Sequence, residues 1–600
     1  MKDRIVIANA GGYWGDEAAA VTRQVRGGHI DYLTMDYLAE ITMIILARQK
    51  HKSEEAGYAS DFIAHVGSVL DDLAAGEIRV IANAGGINPG ACARALESMM
   101  EQRGISLPVA VVDGDDLMPD LESLVSGGAA FEHIDSGQAL GSRLPRVNTA
   151  NAYLGAQPIV AALEGGARIV ITGRTYDAAS VVAPMVYEFG WDWDDYDRLA
   201  SALVAGHLLE CGAQSTGGNY SLWTEVPSHT NMGYPLVEAA ADGSFVLTKH
   251  PGTGGLVSRR TAIEQVLYEI GDPRAYASPD VVADFTSFEI SDDGQNRVRV
   301  EGARGGPPTD KLKVSVTFED GFKCVAMVVV SGPQAVAKAR KFAEIFWQRL
   351  DGPFTETRTE LIGHSACWGE SASPPVEPNE VVLRLGARAE TQEPLLAAAR
   401  AVAGIALGGP PGICGAGSRP QVSPAYGFWP ALVDRRLVVG RMFMGGSSQQ
   451  FPCGDARTVA FKPGQAAEPD QAAEPGSATG DDRRGGDRRV RVPLSRIAHS
   501  RSGDKADTCN LGVAALRPEF YPELLREVTA ERVAAWFSSL VKGPVTRYRL
   551  DNLDAVNFVM QRSLGGGGTV SLQLDSQGKT FAQGILAMEV EIAAELADSL

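Results

Sequence analysis

Within residues 1–245, apolar positions fall in short β-branched runs separated by stretches of helical spacing. Ile5–Ala8 reads as a strand and Asp16–Arg26 as a helix; a second strand ends at Asp36, and Leu38–Lys50 has helical periodicity. Ser60–Ala75 and Ala91–Gln102 read as helices, with strands at Arg79–Ala82 and Pro108–Val112. Ala152–Glu164 predicts a helix, Arg168–Thr172 a strand and Ala178–Tyr187 a further helix. Short buried strands joined by helices, with turn residues after each strand, predict an α/β domain with a parallel, doubly wound sheet.

The pattern changes over residues 246–462, where Arg297–Val300, Lys313–Phe318, Cys324–Val330 and Val381–Leu385 predict strands. Pro333–Arg349 and Leu395–Ile405 predict helices, so an α+β region packed on the first is expected. Residues 463–489 hold the near-repeat Gln465-Ala466-Ala467-Glu468-Pro469 and Gln471-Ala472-Ala473-Glu474-Pro475, then a charged run. Such a stretch has too little apolar surface to offset its ordering entropy and reads as a flexible linker. Residues 490–600 predict a small α+β domain with a helix at Val528–Leu540. A closing hairpin is expected at Thr569–Leu574 and Thr580–Val590, turning at Asp575, Gln577 and Gly578.

Composition narrows the function. With 600 residues the chain is too long for one core, and a formal net charge of −19 disfavours nucleic acid as a partner. The seven cysteines form no C-x-x-C pair, which argues against a disulfide framework and a cysteine zinc site. No apolar run approaches membrane-spanning length, and the first one is strand-sized, so a soluble cytoplasmic protein with no membrane partner is expected.

Polar residues gather where the strands end. The first strand opens into Gly11-Gly12-Tyr13-Trp14-Gly15-Asp16, and the second closes on Asp36 with Glu40 one helical turn on. The third opens into Asn83-Ala84-Gly85-Gly86-Ile87-Asn88, the fourth ends at Asp113-Gly114-Asp115, and the fifth reaches Thr172-Gly173-Arg174-Thr175-Tyr176-Asp177. In a parallel sheet these ends share one edge, facing the crevice where such enzymes bind ligands. Taken singly, each residue is explained as well by helix capping or turn chemistry. Neither Gly-Gly loop reads G-x-G-x-x-G, so dinucleotide binding is not supported.

Three further clusters carry candidate chemistry. His207, Glu210 and Cys211 share a helical face, as an acid/base group or as a structural pair beside an inert thiol; Asn219 lies in the glycine-rich turn that follows. Lys249 and His250 precede a glycine-rich loop suited to a phosphate or carboxylate, unless they are ordinary surface charges; Arg304, Lys311 and Lys313 are similar. Ser502, Asp504 and Lys505 crowd a loop at the start of the last domain that is either a ligand loop or a salt-bridged interface. A hard divalent metal held by Asp16, Asp36 and Asp113 is a further option.

These motifs, with Asn151-Ala152-Tyr153-Leu154-Gly155-Ala156 and the Arg501–Asn510 loop, resemble the acyclic terpene utilisation protein A family. The likeness includes that family's small carboxyl-terminal ferredoxin-like domain; Ala506 stands where a glycine is expected. The resemblance implies a lyase or hydratase acting on branched acyl-CoA thioesters, including cleavage of a 3-hydroxyglutaryl-CoA-like substrate to acetate and a 3-oxoacyl-CoA. Coenzyme A would enter as part of the substrate, no other cofactor is certain, and a homo-oligomer is expected. In that chemistry Asp36 or Glu210 serves as base, His207 as acid and Arg174 as the carboxylate or thioester clamp. Two alternatives remain: an acyl transferase or isomerase using Cys211, and a non-catalytic scaffold subunit of a degradation complex.

Overall fold

The computed structural model describes residues 2–370, 376–405, 407–417, 419–455, 457–461 and 488–600. The stretch read as a linker lies outside the described residues as far as 487, and Arg489 opens the strand Arg489–Pro493. The chain forms two compact units. One comprises Met1–Thr317, Trp429–Glu468 and Leu550–Asp554; the other comprises Phe318–Phe428, Pro469–Arg549 and Ala555–Leu600.

The first unit is built on β1 (Arg4–Asn9), α1 (Ala19–Gly27), β2 (Tyr32–Met35), α2 (Glu40–Lys52), β3 (Arg79–Ala82) and α3 (Pro89–Gln102). They are followed by β4 (Val109–Asp113), α4 (Gln157–Glu164), β5 (Ile169–Thr172), α5 (Ala179–Phe189) and α6 (Tyr196–Leu209). The parallel strands lie in the order β1, β2, β3, β5, β4. Antiparallel strands extend both sides: Pro235–Ala240 pairs with β1, and Val439–Met444 pairs with β4. The sheet is therefore mixed, with eleven strands around a parallel centre.

Alternation along these strands explains the layers. Ala8, Leu33, Met35, Val80, Ala82, Ile169 and Ile171 join one core with Val21 of α1 and Leu96 of α3. The intervening Ile7, Tyr32, Ile81 and Val170 are equally buried, and α5 packs against β1 and β2. A strand buried on both faces reads as a continuous apolar run, which is why four-residue segments such as Ile169-Val170-Ile171-Thr172 were legible.

Several elements differ from expectation. Residues read as the start of a helix at Ala152 end the strand Val147–Ala152, and α4 begins after Gly155, with Pro158 in its first turn. The Ser60–Ala75 helix is broken at Val69, whose φ of −124° separates Asp61–Ser68 from Leu70–Ala75. Strands read separately at Lys313–Phe318 and Cys324–Val330 are one strand, Lys311–Ser331.

In the second unit, Phe322–Ser331 of that strand pairs with Glu380–Ala389, which pairs with Glu356–Ile362. The helix Ala335–Gln348 covers them through Phe342 and Phe346. Further along, Ala498–Lys505, Thr508–Ala515, Ala555–Met560 and Val545–Leu550 form a four-stranded antiparallel sheet. Phe537, Phe558 and Phe581 are fully buried in its core. The expected closing hairpin is absent. Phe581–Leu586 is a helix and Glu589–Ala593 a strand paired with Arg489–Pro493. Phe581, Ile585 and Leu586 have helical spacing, and Asp575 accepts the Lys579 and Thr580 N–H groups just ahead of the helix.

The turn between Lys505 and Thr508 has two residues, and Ala506 sits there at φ 60°. Two-residue hairpin turns demand positive φ, which glycine adopts at no steric cost. Ala506→Gly is therefore expected to raise unfolding stability by about 0.5–1 kcal/mol, measured by denaturant titration.

Candidate active site

The strand ends of the first unit are laced by backbone and side-chain bonds. Asn9 at the end of β1 donates through Nδ2 to the Gly11 carbonyl and accepts the Gly11 N–H. That carbonyl also accepts the Asp36 N–H at 2.9 Å, fixing the turn after β2. Gly12 leaves no room for a side chain, because a Cβ would stand 2.6 Å from the Cys211 carbonyl carbon. Asp16 accepts the Gly12 N–H and the Tyr234 hydroxyl.

Asp36 lies at the centre. Its Oδ1 accepts from Asn83 Nδ2 at 2.5 Å and from the Leu38 N–H at 3.0 Å, while Asn83 Oδ1 accepts the Tyr37 N–H. Burial first, then the neighbouring Asp177 charge, push its carboxyl up to about 8, opposed by Arg174 and the Asn83 bond. A proton therefore resides there near neutral pH.

Arg174 is 4 % exposed and has several partners. It donates to the Leu38 carbonyl, to Asp177 at 2.9 Å and to the Tyr153 hydroxyl at 2.8 Å. Its guanidinium stands 4.4 Å from the centre of the Tyr153 ring, and the Lys313 ammonium stands 4.7 Å from the same ring. Glu40 lies within electrostatic reach of both cations. Among the described residues no carboxylate lies within ion-pair distance of Lys313, which leaves a cation available beside Arg174.

The backbone of Arg174 is positioned from below. Asp115 Oδ2 accepts the Arg174 N–H at 2.9 Å and the Asn151 amide at 2.8 Å. Burial pushes the Asp115 carboxyl up to about 7. A Cβ on Gly173 would stand 2.2 Å from Asp115 Oδ1, so glycine is required there. Asp115→Ala leaves two buried donors unpaired and is expected to cost about 1–3 kcal/mol, read as a lower denaturation midpoint.

His207 and Glu210 approach the same group from the end of α6. His207 Nε2 donates to the Gln265 carbonyl at 2.9 Å, and Nδ1 stands 3.3 Å from Glu210 Oε1. With Nε2 donating to that carbonyl, Nδ1 faces the Glu210 carboxyl. Burial raises the Glu210 pKa, His207 opposes the rise and Asp177 adds to it. His207 is 2 % exposed and lies against Tyr276 and Phe285, so it orients Glu210, whereas Glu210 reaches towards Asp177. Cys211 follows, half-buried, with its backbone against Gly12.

Asp36 and Asn83, and Arg174 and Asp177, are thus joined in one cluster, with Glu40 and Glu210 within electrostatic reach and Gly11, Gly12 and Asn151 as supports. Other expected residues serve elsewhere. Asp113 is paired with Arg441 at 2.7 Å; the aspartate that reaches Arg174 is Asp115. Asp16, Asp36 and Asp113 therefore form no ion cage, and among the described residues no group of three potential metal ligands is gathered. Gly85 makes close room for Pro89 and Thr172, Gly86 adopts φ 53°, and Asn88 caps α3 while donating to the Glu54 and Ala56 carbonyls. Asn219 holds a turn at φ 56°.

Lys249 donates to Thr253, and His250 Nε2 meets the Gln24 carbonyl at 3.0 Å. Both are buried and pin a loop. Ser502, Asp504 and Lys505 belong to the second unit, where Ser502 accepts the Ala582 N–H and Asp504 pairs with Lys579. Sequence reasoning missed Tyr153, Asp115 and the significance of Lys313. The first two lie inside motifs already singled out and only their orientation was hidden.

The fold is a mixed α/β sheet, with titratable groups clustered at the ends of its parallel strands. The family model described as "Acyclic terpene utilisation family protein AtuA" matches residues 5–444, and that described as "AtuA ferredoxin-like domain" matches 492–591. The chain belongs to the acyclic terpene utilisation AtuA family and carries its ferredoxin-like domain at the carboxyl end. No curated protein and no solved structure matches it. Among the described residues no helix is long and apolar enough to cross a membrane.

Proposed function

We propose that the chain is a catabolic enzyme for branched-chain acyl-CoA thioesters, cleaving a carbon–carbon bond of a 3-hydroxyglutaryl-CoA-like substrate or adding and removing water. The observation that carries the reading is the shielded Asp36 carboxyl beside the Arg174 and Lys313 cations. In a retro-aldol step the ionised form of Asp36, whose share grows as pH rises towards about 8, takes the tertiary hydroxyl proton, the carbonyl forms, and the bond to the carboxymethyl arm breaks. The electron pair passes to that arm, which a protonated Glu210 quenches to acetate. Arg174 and Lys313 hold the arm's carboxylate, whose charge grows as the bond breaks. Cys211 has no part in this scheme, and Cys211→Ser is expected to keep turnover within about twofold of wild type.

Mass spectrometry of the purified full chain with branched 3-hydroxyglutaryl-CoA and enoyl-CoA thioesters, with and without chelator, tests the proposal. Acetate with a 3-oxoacyl-CoA supports the lyase, and a mass change of one water supports the hydratase. Absence of turnover by the protein alone, with co-purification of a carboxylase or dehydrogenase, supports the scaffold reading instead.

A further inference from the structure

Tyr153 turns to Arg174, while the next two residues, Leu154 and Gly155, line a separate cavity of 480 Å³ in the first unit. Its volume lies within the roughly 300–1,000 Å³ of small-molecule sites. The wall chemistry is specific. Trp193, Tyr196 and Phe451 contribute rings, Arg435 and Arg457 contribute cations, and Asp192, Asp194 and Asp280 contribute carboxylates.

Arg435 is the unusual member. It is 5 % exposed, yet its guanidinium donates only to the Cys453, Thr309 and Pro279 carbonyls. Among the described residues no carboxylate lies within ion-pair distance of it. Asp280 and Asp310 act on it electrostatically without ion-pair contact, so its buried charge is only partly offset, and an anion in the cavity would offset the rest. The end of α4 is not the anion site, because Asp280 already accepts the Ala156 N–H there.

We propose that this cavity binds a nucleoside phosphate, independently of the reading given above for the Arg174 site. The base stacks on the aromatic wall, Arg435 and Arg457 take the phosphate, and Asp192 or Asp194 accepts from the ribose hydroxyls. A purely aliphatic anion would leave the rings unused.

Isothermal titration of the full chain with AMP, adenosine and inorganic phosphate tests the assignment. AMP is expected to bind, with adenosine and phosphate each weaker by about tenfold or more, since both ends of the ligand contribute. Trp193→Ala and Arg457→Ala, which alter half-buried and exposed positions, should each weaken AMP by about tenfold. Unchanged thermal midpoints would show both variants folded. The assignment is overturned by three results: no heat with millimolar AMP, phosphate binding as tightly as AMP, or AMP binding indifferent to both substitutions.

Discussion

Arg174→Lys is expected to lower kcat/KM by about 10²–10³-fold, with the fold retained. Lysine keeps the charge but loses the planar fork, and Arg174 uses that fork on Leu38, Asp177 and Tyr153 at once. An ammonium can satisfy some of these partners but cannot hold the same plane against the Tyr153 ring. Retaining the cation also avoids leaving the Asp177 carboxylate without its ion-pair partner, which truncation to alanine would do. A steady-state assay on the substrate identified by mass spectrometry, paired with circular dichroism, separates lost catalysis from lost fold. Wild-type kcat/KM in the lysine variant would remove Arg174 from the mechanism.

Asp36→Asn is expected to lower kcat by about 10²–10⁴-fold. The asparagine oxygen can still accept from Leu38 and Asn83, so the turn after β2 persists while the base is gone. The wild-type rate should fall as pH drops through the raised pKa of Asp36, because the base must be unprotonated. Stability runs the other way. A carboxyl whose folded pKa lies above its unfolded value stabilises most at low pH and loses that contribution as pH climbs through the folded pKa. Asp36→Asn should therefore gain stability relative to wild type as the medium becomes alkaline. Urea midpoints at acidic and alkaline pH measure this; a constant difference between the two proteins would contradict the shielded carboxyl.

Much of the site was legible because strand ends announce themselves. A β-branched run followed by Asn, Asp or Gly fixed the positions of Asn83 and Arg174, and parallel pairing then brought them to one edge. What failed was orientation within a turn. Asp113 and Asp115 are two residues apart, but Gly114 at φ 98° redirects the chain, so Asp115 goes beneath Gly173 and Asp113 goes to Arg441. Lys313 was legible as a strand residue but not as a neighbour of Tyr153, since no local pattern says which strand a distant segment will meet.

The basic pair Lys249–His250 misled in the opposite way. Its charges promise an anion site, yet both side chains turn inward onto backbone carbonyls. The antiparallel flanks of the sheet were likewise invisible, because period-two alternation reveals a strand but not its direction. The helix Phe581–Leu586 was hidden by a glycine that resembled hairpin chemistry, although the spacing of Phe581 and Ile585 favoured a helix.

The account rests on an Asp36 carboxyl that titrates near neutrality beside a fixed cation. Difference infrared spectroscopy of wild type against Asp36→Asn, titrated through neutrality, reads that proton directly. A protonated-carboxyl band present in wild type, missing in the variant and fading as pH rises through about 8 is the predicted result. An Asp36 carboxylate already ionised at mildly acidic pH would contradict it.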